Sequence, residues 1–259
     1  MFGVVPRELW QRTNPPDERN RIEMAMRCLL VRGEGRNVLI DTGIGDKFAA
    51  REAEIYKIDH RQWTLAKALR ERGLAPEDVT DVVLTHLHFD HAGGATARDG
   101  GRLRPAFPNA RYHLQEENLK TASRPNLRER RSYLQENFVP LEEAGCLNLH
   151  RGEEEILPGI HLLPVSGHTD GQHLVRIEGS DGAAAVFCGD LIPTSSHVPI
   201  PWVMGYDLRP LVSMREKEEL LSEAVRNDWV LVFEHDPRVA AARVERTEKG
   251  FSVREAVAL

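Results

Sequence analysis

The sequence has few cysteines and no long apolar run, and each shortage excludes a class of protein. Its three cysteines are widely separated and form no CxxC pair, which disfavours a disulfide framework and a cysteine zinc knuckle. The longest apolar stretches, such as AAAVFCG and WVLVF, are too short to cross a bilayer, and the start MFGVVPRELW lacks the regions of a signal peptide. We therefore expect a cytoplasmic protein with no membrane partner.

Positively charged residues are fewer than negatively charged ones. The chain has 34 lysines and arginines against 40 aspartates and glutamates, which gives a formal net charge of −6. Its 41% hydrophobic and 29% charged residues are typical of a folded globular protein, so nucleic acid is not an expected partner. We interpret the one basic cluster, RERR at Arg128 to Arg131, as a solvated helix face.

The chain of 259 residues contains no repeat, low-complexity segment or linker, so we predict a single domain over residues 1–259. Partly alternating apolar residues in RIEMAMRCLLVRG, residues 21–33, the turn GEGR and the apolar strand NVLIDTG predict an early hairpin, and DVVLTH predicts a buried strand. Helical spacing predicts helices in HRQWTLAKALRERG, in residues 114–144 and in REKEELLSEAVRND. Further strands are predicted in GIHLLPVSGH, QHLVRIEG, AAAVFCGD, WVLVFEHD and a final hairpin, AARVERTEKGFSVREA. Strand pairs separated by helices in both halves indicate a layered α/β protein with mixed sheets.

Side chains of the kinds that bind metals follow four of the predicted strands. LTHLHFDHAGG holds four of them within six positions, and VSGHTDG, FCGD and VFEHD each hold one more; the seven are His86, His88, Asp90, His91, His168, Asp190 and His235. Five imidazoles and two carboxylates without thiolates suit zinc or another first-row metal better than calcium or magnesium. Seven ligands exceed one tetrahedral site, and a bridging carboxylate would allow two metals with a shared water. The H-x-E deaminase signature, the helical HExxH site and the GxSxG elbow are absent.

These motifs resemble those of the metallo-β-lactamase superfamily. HLHFDH matches its HxHxDH motif at every fixed position, and IDTG, GHTDG and CGD occur in the expected order between Asp41 and His235. The resemblance implies an α/β (α+β) fold, the αβ/βα four-layer sandwich of two mixed β-sheets with outer helices. It also implies two zinc ions per chain, with manganese, iron or cobalt as possible replacements.

The resemblance implies a role for each candidate ligand. His86, His88 and His168 would hold the first zinc; Asp90, His91 and His235 would hold the second; Asp190 would bridge them. Asp41 would lie behind the ligands and orient one of them.

Within the superfamily, the resemblance points to the quorum-quenching lactonase and organophosphate-hydrolase branch. MFGVVPRELW and GDLIPTSSHVPIPWVMGYD carry that likeness. Aspartate at the bridging position is unlike the major antibiotic-hydrolysing branch, and the chain length and acidic charge disfavour the nuclease branch. The best-known lactonases have a tyrosine shortly after the bridging aspartate, where this chain has Ile192, Pro193 and Thr194; Tyr206 or His197 could replace it.

The resulting hypothesis is a dinuclear zinc-dependent hydrolase that directs a metal-bridging hydroxide at an ester-type bond, in a small-molecule ester, lactone or phosphotriester. Asp90 would be catalytic, by orienting the hydroxide and carrying a proton. The alternatives are a glyoxalase-II-like thioesterase and a metal-binding protein without catalysis. The apolar loop PIPWVMGYD, residues 199–207, predicts a substrate wall, with Phe89, His197, Trp202 and Tyr206 as candidate contacts; loop packing or an oligomer contact is the alternative. The natural substrate and a homo-oligomeric state are left open.

Overall fold

The computed structural model describes all residues 1–259 and contains fourteen strands and seven α-helices. The strands are β1 Leu29–Gly33, β2 Arg36–Ile40, β3 Asp81–Val83, β4 Thr96–Asp99, β5 Arg102–Pro105, β6 Arg111–Gln115, β7 Leu147–His150, β8 Glu154–Leu157, β9 Ile160–Val165, β10 Gln172–Glu178, β11 Ala184–Phe187, β12 Val230–Val232, β13 Ala241–Thr247 and β14 Gly250–Val257. The helices are α1 Arg7–Trp10, α2 Ala50–Tyr56, α3 Leu65–Glu71, α4 Phe89–Ala92, α5 Glu116–Ser123, α6 Val139–Glu143 and α7 Pro210–Arg226. None of the helices has the length and apolarity needed to cross a membrane.

The chain divides into two compact units. Residues 28–151 form one of them, the continuous unit. Residues 1–27 and 152–259 form the other, the two-segment unit. The prediction of a single domain over residues 1–259 stays a prediction.

The continuous unit is built on a five-stranded mixed sheet in the order β1-β2-β3-β6-β7. β1 and β2 form the predicted early hairpin, whereas β2, β3, β6 and β7 run parallel. β3 is central and fully buried, which explains the apolar run of Val82, Val83 and Leu84; its first residue, Asp81, is paired with Arg36 and His113. The carboxyl ends of parallel strands lie at one edge of the sheet, so β2 and β3 deliver the residues that follow them to the same place. Those residues are Asp41 and the histidine-rich stretch.

The two-segment unit is built on a seven-stranded mixed sheet in the order β14-β13-β12-β11-β10-β9-β8. All neighbours in it are antiparallel except β11 and β12. β9, β11 and β12 therefore point the same way, and their carboxyl ends share one edge. Helix α7 contributes Leu220, Leu221 and Ala224 to the apolar core of this unit. Its amphipathic spacing is the reason that these residues form a helix with one buried face.

Three local predictions differ from the structure. Residues 21–28 are not a strand, because the hairpin begins only at Leu29. Helix α3 begins after Thr64, whose hydroxyl accepts a hydrogen bond from the amide of Lys67 (3.2 Å), so Trp63 lies outside the helix and is 58% exposed. The α-helices within residues 114–144 are the short α5 and α6, with one 3₁₀ turn at residues 135–137, and RERR lies in turns between α5 and α6. The interpretation of RERR as a helix face is therefore wrong, and its Glu129 is buried.

Candidate metal centre

Local backbone geometry fixes the histidine-rich stretch of the continuous unit. The stretch leaves β3, enters the short helix α4 after His88, and ends at Gly93 and Gly94. A Cβ atom on Gly93 would lie 2.1 Å from the carbonyl oxygen of Ile44, and one on Gly94 would lie 2.3 Å from that of Thr42. Only glycine permits so close an approach, which gives a physical reason for the AGG that closes the motif.

Four of the predicted ligands meet within the continuous unit. The Nε2 atom of His86 lies 3.1 Å from Nδ1 of His88, and the rings of His86 and His91 have centroids 3.9 Å apart. An oxygen of Asp90 lies 3.9 Å from Nε2 of His91. The three imidazoles are buried, while Asp90 is partly exposed. The four side chains therefore present nitrogen and oxygen atoms to a common region.

Asp41 orients two of these imidazoles. One of its oxygens accepts a hydrogen bond from the amide of Thr85 and the other accepts one from the Thr85 hydroxyl, both at 2.7 Å. Because that hydroxyl donates its one hydrogen to the bond with Asp41, Nδ1 of His86 must be the donor in its 3.1 Å contact with the Thr85 oxygen. Nδ1 of His91 donates to Asp41 at 3.0 Å. In both rings the proton sits on Nδ1, so Nε2 carries the lone pair that a metal needs.

Glu129 is a neighbour of His88 that the sequence did not reveal. Its carboxylate lies 3.5 Å from Nε2 of His88, the nitrogen turned away from His86, and it is 4% exposed. The ring of Tyr133 packs beside the same imidazole, with centroids 4.7 Å apart. A carboxylate at Nε2 leaves Nδ1 of His88 as the ligand atom. The only signal in the sequence was one acidic residue among the arginines of RERR.

The other three predicted ligands meet within the two-segment unit. His168 follows β9, Asp190 follows β11 and His235 follows β12, at the shared edge of the sheet. Nε2 of His168 lies 3.2 Å from one oxygen of Asp190, and Nε2 of His235 lies 3.0 Å from the other oxygen. Each oxygen of one carboxylate thus faces a different imidazole, which is the arrangement of a bridging ligand.

The far nitrogens of these two imidazoles are also held. Nδ1 of His168 donates to Asp207 at 3.0 Å, and Nδ1 of His235 donates to the carbonyl oxygen of Ala25 at 2.9 Å. In a neutral ring each Nε2 then turns a lone pair toward an oxygen of Asp190, and lone pairs at such distances repel. A shared cation removes that repulsion, so the donor set of this unit fits a metal.

The candidate substrate residues have different surroundings. In the continuous unit, the half-buried ring of Phe89 lies against Phe48 and Tyr56, with centroids 5.4 and 5.2 Å away. In the two-segment unit, His197 is 1% exposed and its Nδ1 lies 2.7 Å from the hydroxyl oxygen of Thr194. Burial lowers the pKa of His197 to about 3, so its imidazole is neutral.

Trp202 and Tyr206 belong to the loop of residues 199–207 in the two-segment unit. Trp202 is half-buried and meets the ring of Phe2 edge-on, with centroids 5.9 Å apart. Tyr206 is 59% exposed. The contact of these four residues with substrate stays a prediction.

Residues 27–235 match a family model described as the metallo-beta-lactamase superfamily. The chain belongs to this superfamily. The resemblance seen in the motifs is confirmed, and with it the metallo-β-lactamase fold, to which the two mixed sheets and their helices conform. The match includes every one of the seven candidate ligands.

Several known proteins are similar to this chain over most of its length. An N-acyl homoserine lactonase from Bacillus cereus is 26% identical over an alignment of 228 residues, which covers 83% of this chain and 82% of the relative. A probable metal-dependent hydrolase from Staphylococcus aureus has a crystal structure with a TM-score of 0.87 and 31% identity, over 100% of this chain and 92% of that one. The structure of AidC, a dizinc quorum-quenching lactonase in complex with a product, has a TM-score of 0.74 and 20% identity, over 91% of this chain and 81% of that one. The chain is thus a metallo-β-lactamase superfamily hydrolase related to lactonases.

Proposed function

We propose that this hydrolase is a dinuclear zinc enzyme that opens lactones by adding water to the ring ester. The observation that carries the proposal is Asp190, whose two oxygens face His168 and His235 separately. A carboxylate in that position can be shared by two metals. The lactonase relative from Bacillus cereus supports a lactone substrate, and the dizinc lactonase structure supports two zinc ions.

The proposed ligand sets follow the family motif. His86, His88 and His168 would hold one zinc; Asp90, His91 and His235 would hold the other; Asp190 would be common to both. The donor chemistry of each residue supports this assignment, because each imidazole has its far nitrogen anchored on another group. Residues 1–259 would act as one catalytic domain.

Zinc ions bound there would lower the pKa of a shared water and polarise the ester carbonyl. The protein's own part falls first to Asp90, the partly exposed member of the set. Its carboxylate would orient the attacking water and accept its proton as the new C–O bond forms at the carbonyl carbon. When the ring C–O bond breaks, Asp90 would return that proton to the leaving alkoxide. The product is a hydroxy acid, which ionises and releases acid into the medium.

Apolar side chains would receive the rest of the substrate. Phe89 stands directly between His88 and Asp90 in the chain and packs with Phe48 and Tyr56. An aromatic cluster next to metal ligands suits an acyl chain, since apolar surface gains about 25 cal/mol for each Å² removed from water. Trp202 and Tyr206 would contribute further apolar surface.

The test is pH-stat hydrolysis of a long-chain acyl-homoserine lactone by zinc-loaded protein. Asp90→Ala and Asp190→Asn serve as blanks, and Asp99→Asn, which changes an exposed carboxylate outside the ligand set, is the matched control. We expect acid release by the wild type and by Asp99→Asn, and none above buffer by the two blanks. Metal analysis should give two zinc ions for the wild type and fewer for Asp190→Asn.

Two results would contradict the proposal. Two bound zinc ions without acid release from any lactone would exclude lactonase activity, and parallel assays with a phosphotriester and a thioester would then decide between the remaining hydrolase hypotheses. Two zinc ions retained by Asp190→Asn would exclude the bridging role.

A further inference from the structure

Lys217 is a lysine without contact with water, and the metal chemistry proposed above does not use it. It lies on α7 of the two-segment unit and is 0% exposed. Lysine is almost never fully buried unless its ammonium group is matched by partners. Its Nζ donates hydrogen bonds to three carbonyl oxygens, those of Pro199 (2.9 Å), Ile200 (3.2 Å) and Trp202 (2.8 Å). An ammonium group has three N–H donors, so all of its hydrogen bonds go to one short stretch of backbone.

That backbone belongs to the loop of residues 199–207, which contains no helix or strand. The loop makes only a few turns of its own, such as the bond from the amide of Trp202 to the carbonyl of Pro199 (3.0 Å). Buried carbonyl groups outside regular structure need donors from elsewhere. Lys217 supplies them at the start of the loop. Without it the carbonyl of Pro199 would keep its bond from the amide of Trp202, whereas those of Ile200 and Trp202 would have to be satisfied by water or by rearrangement.

The loop is also held at other points. Phe2 meets the ring of Trp202, and a Cβ on Gly3 would lie 2.9 Å from the carbonyl oxygen of Val203, so the N-terminal residues pack closely against the loop. Asp207 ends the loop and accepts the hydrogen bond from His168. The segment that carries Trp202 is therefore fixed at its start by the buried amino group of Lys217 and at its end by a partner of a candidate metal ligand.

We propose that Lys217 is a positioning residue that holds Trp202 in place through the carbonyls of the loop and thereby sets the enzyme's preference for acyl chain length. The selectivity part of this inference rests on the lactonase function proposed above. Lys217 itself touches no substrate. It acts through the carbonyls of Pro199 and Ile200, which precede Trp202, and through that of Trp202 itself, whose indole would form part of the wall for the far end of a long acyl chain.

The first test compares Lys217→Met with the wild type, and Lys249→Met is the matched control because Lys249 is an exposed lysine in a turn. The values of kcat and KM are measured with butanoyl- and decanoyl-homoserine lactone. We expect the ratio of kcat/KM for decanoyl over butanoyl to fall about tenfold in Lys217→Met, through KM, as about two methylene contacts are lost. The kcat for the short substrate and both values of Lys249→Met should stay within about twofold. A purely structural role would lower the active fraction and thus the rates for both substrates equally; an unchanged ratio overturns the proposal.

A second measurement needs no turnover. Acrylamide quenching reports the exposure of Trp202, after subtraction of the signal in paired Trp202→Phe variants, because Trp10, Trp63 and Trp229 also emit. We expect stronger quenching of Trp202 in Lys217→Met. If the wild type hydrolyses no lactone but this quenching rises, the proposed function fails while Lys217 keeps its role in the loop. Unchanged quenching overturns that role.

A variant that fails to fold would be recognised by its melting curve. Lys217→Gln then replaces Lys217→Met in both measurements, because its amide keeps two of the three donors. We expect a smaller change in the same direction, and no change in either the ratio or the quenching overturns the proposal.

Discussion

At the scale of single residues, Glu129 is the most informative side chain outside the candidate ligands. It is buried and faces Nε2 of His88 at 3.5 Å, so it would hold that imidazole in the orientation that points Nδ1 at the metal. We expect Glu129→Gln to lower zinc affinity by about 10- to 100-fold, the usual effect of removing a carboxylate behind a ligating histidine. Competition with a chromophoric chelator measures this affinity. The exposed Glu142→Gln is the control, and equal affinities for the two variants would contradict the role of Glu129.

His197 makes stability depend on pH. Burial lowers the pKa of its imidazole to about 3 from 6.5, so folding favours the neutral ring. The stabilisation is complete above the unfolded-state value and is lost as pH falls from about 6.5 toward about 3, by at most about 1.4 kcal/mol per pH unit. We expect urea unfolding between pH 7.5 and pH 4.5 to show the wild type losing stability faster than His197→Gln. A constant difference between the two across this range would contradict the prediction.

The sequence pointed to the candidate ligands but not to the residues behind them, and the reason is physical. His86, His88, Asp90 and His91 are dense along the chain, so their spacing alone indicates a shared task. Asp207 and Glu129 act on histidines 39 and 41 residues away, since 207 − 168 = 39 and 129 − 88 = 41. Such partners are brought together only by the tertiary fold. Asp41 could be inferred because it is part of a recognisable IDTG motif.

At the scale of structural elements, the turn after α4 is the most constrained. Gly94 approaches the carbonyl oxygen of Thr42 so closely that a Cβ would lie 2.3 Å from it. We expect Gly94→Ala to push the end of the histidine-rich stretch away from Thr42, with a loss of about 1–3 kcal/mol in the free energy of unfolding and reduced zinc binding. Urea titration and metal analysis measure the two effects.

Gly33→Ala is the control for that substitution. Nothing lies within 4 Å of a Cβ built on Gly33, which ends β1 in the same unit. Its free energy of unfolding should change by less than about 1 kcal/mol. An equal loss in both variants would show that the effect comes from the backbone of alanine rather than from the contact with Thr42.

The elements that the sequence predicted well are those whose apolar residues recur at regular helical or strand spacing. Helix α7, strands β9 to β11 and the final hairpin lie where the apolar patterns put them. Residues 124–134 were predicted to be helical and are turns, because Pro125 disfavours a helix there and Glu129 and Tyr133 are drawn inward by their contacts with His88. The hairpin of β4 and β5 was missed, since its short strands are largely exposed and carry no apolar alternation.

At the scale of the whole molecule, metal removal should lower thermal stability. A metal that binds the folded chain better than the unfolded chain stabilises it by mass action, and the neutral imidazoles facing Asp190 gain most from a cation. We expect EDTA to lower the Tm, and re-added zinc to restore it. Differential scanning calorimetry checks this, with Asp190→Asn as the comparison because its Tm should respond less. A Tm that ignores EDTA in metal-loaded protein would contradict the prediction.

The hydrogen bonds of Ala25 and Arg27 determine which part of the protein can complete its contacts first during synthesis. The amide of Ala25 donates to the carbonyl of His235, and the amide of Arg27 donates to the carbonyl of Glu234. The carbonyl of Ala25 also accepts a hydrogen bond from Nδ1 of His235, which is 210 residues away in the chain. A ribosome adds about 5–20 residues per second, so this early segment waits roughly 10 to 40 seconds for its partners. Residues 28–151 are complete long before then. The imidazole of His235 is therefore paired with Ala25 only after residues 28–151 have been synthesised, so the candidate ligands of the two-segment unit are completed later than those of the continuous unit.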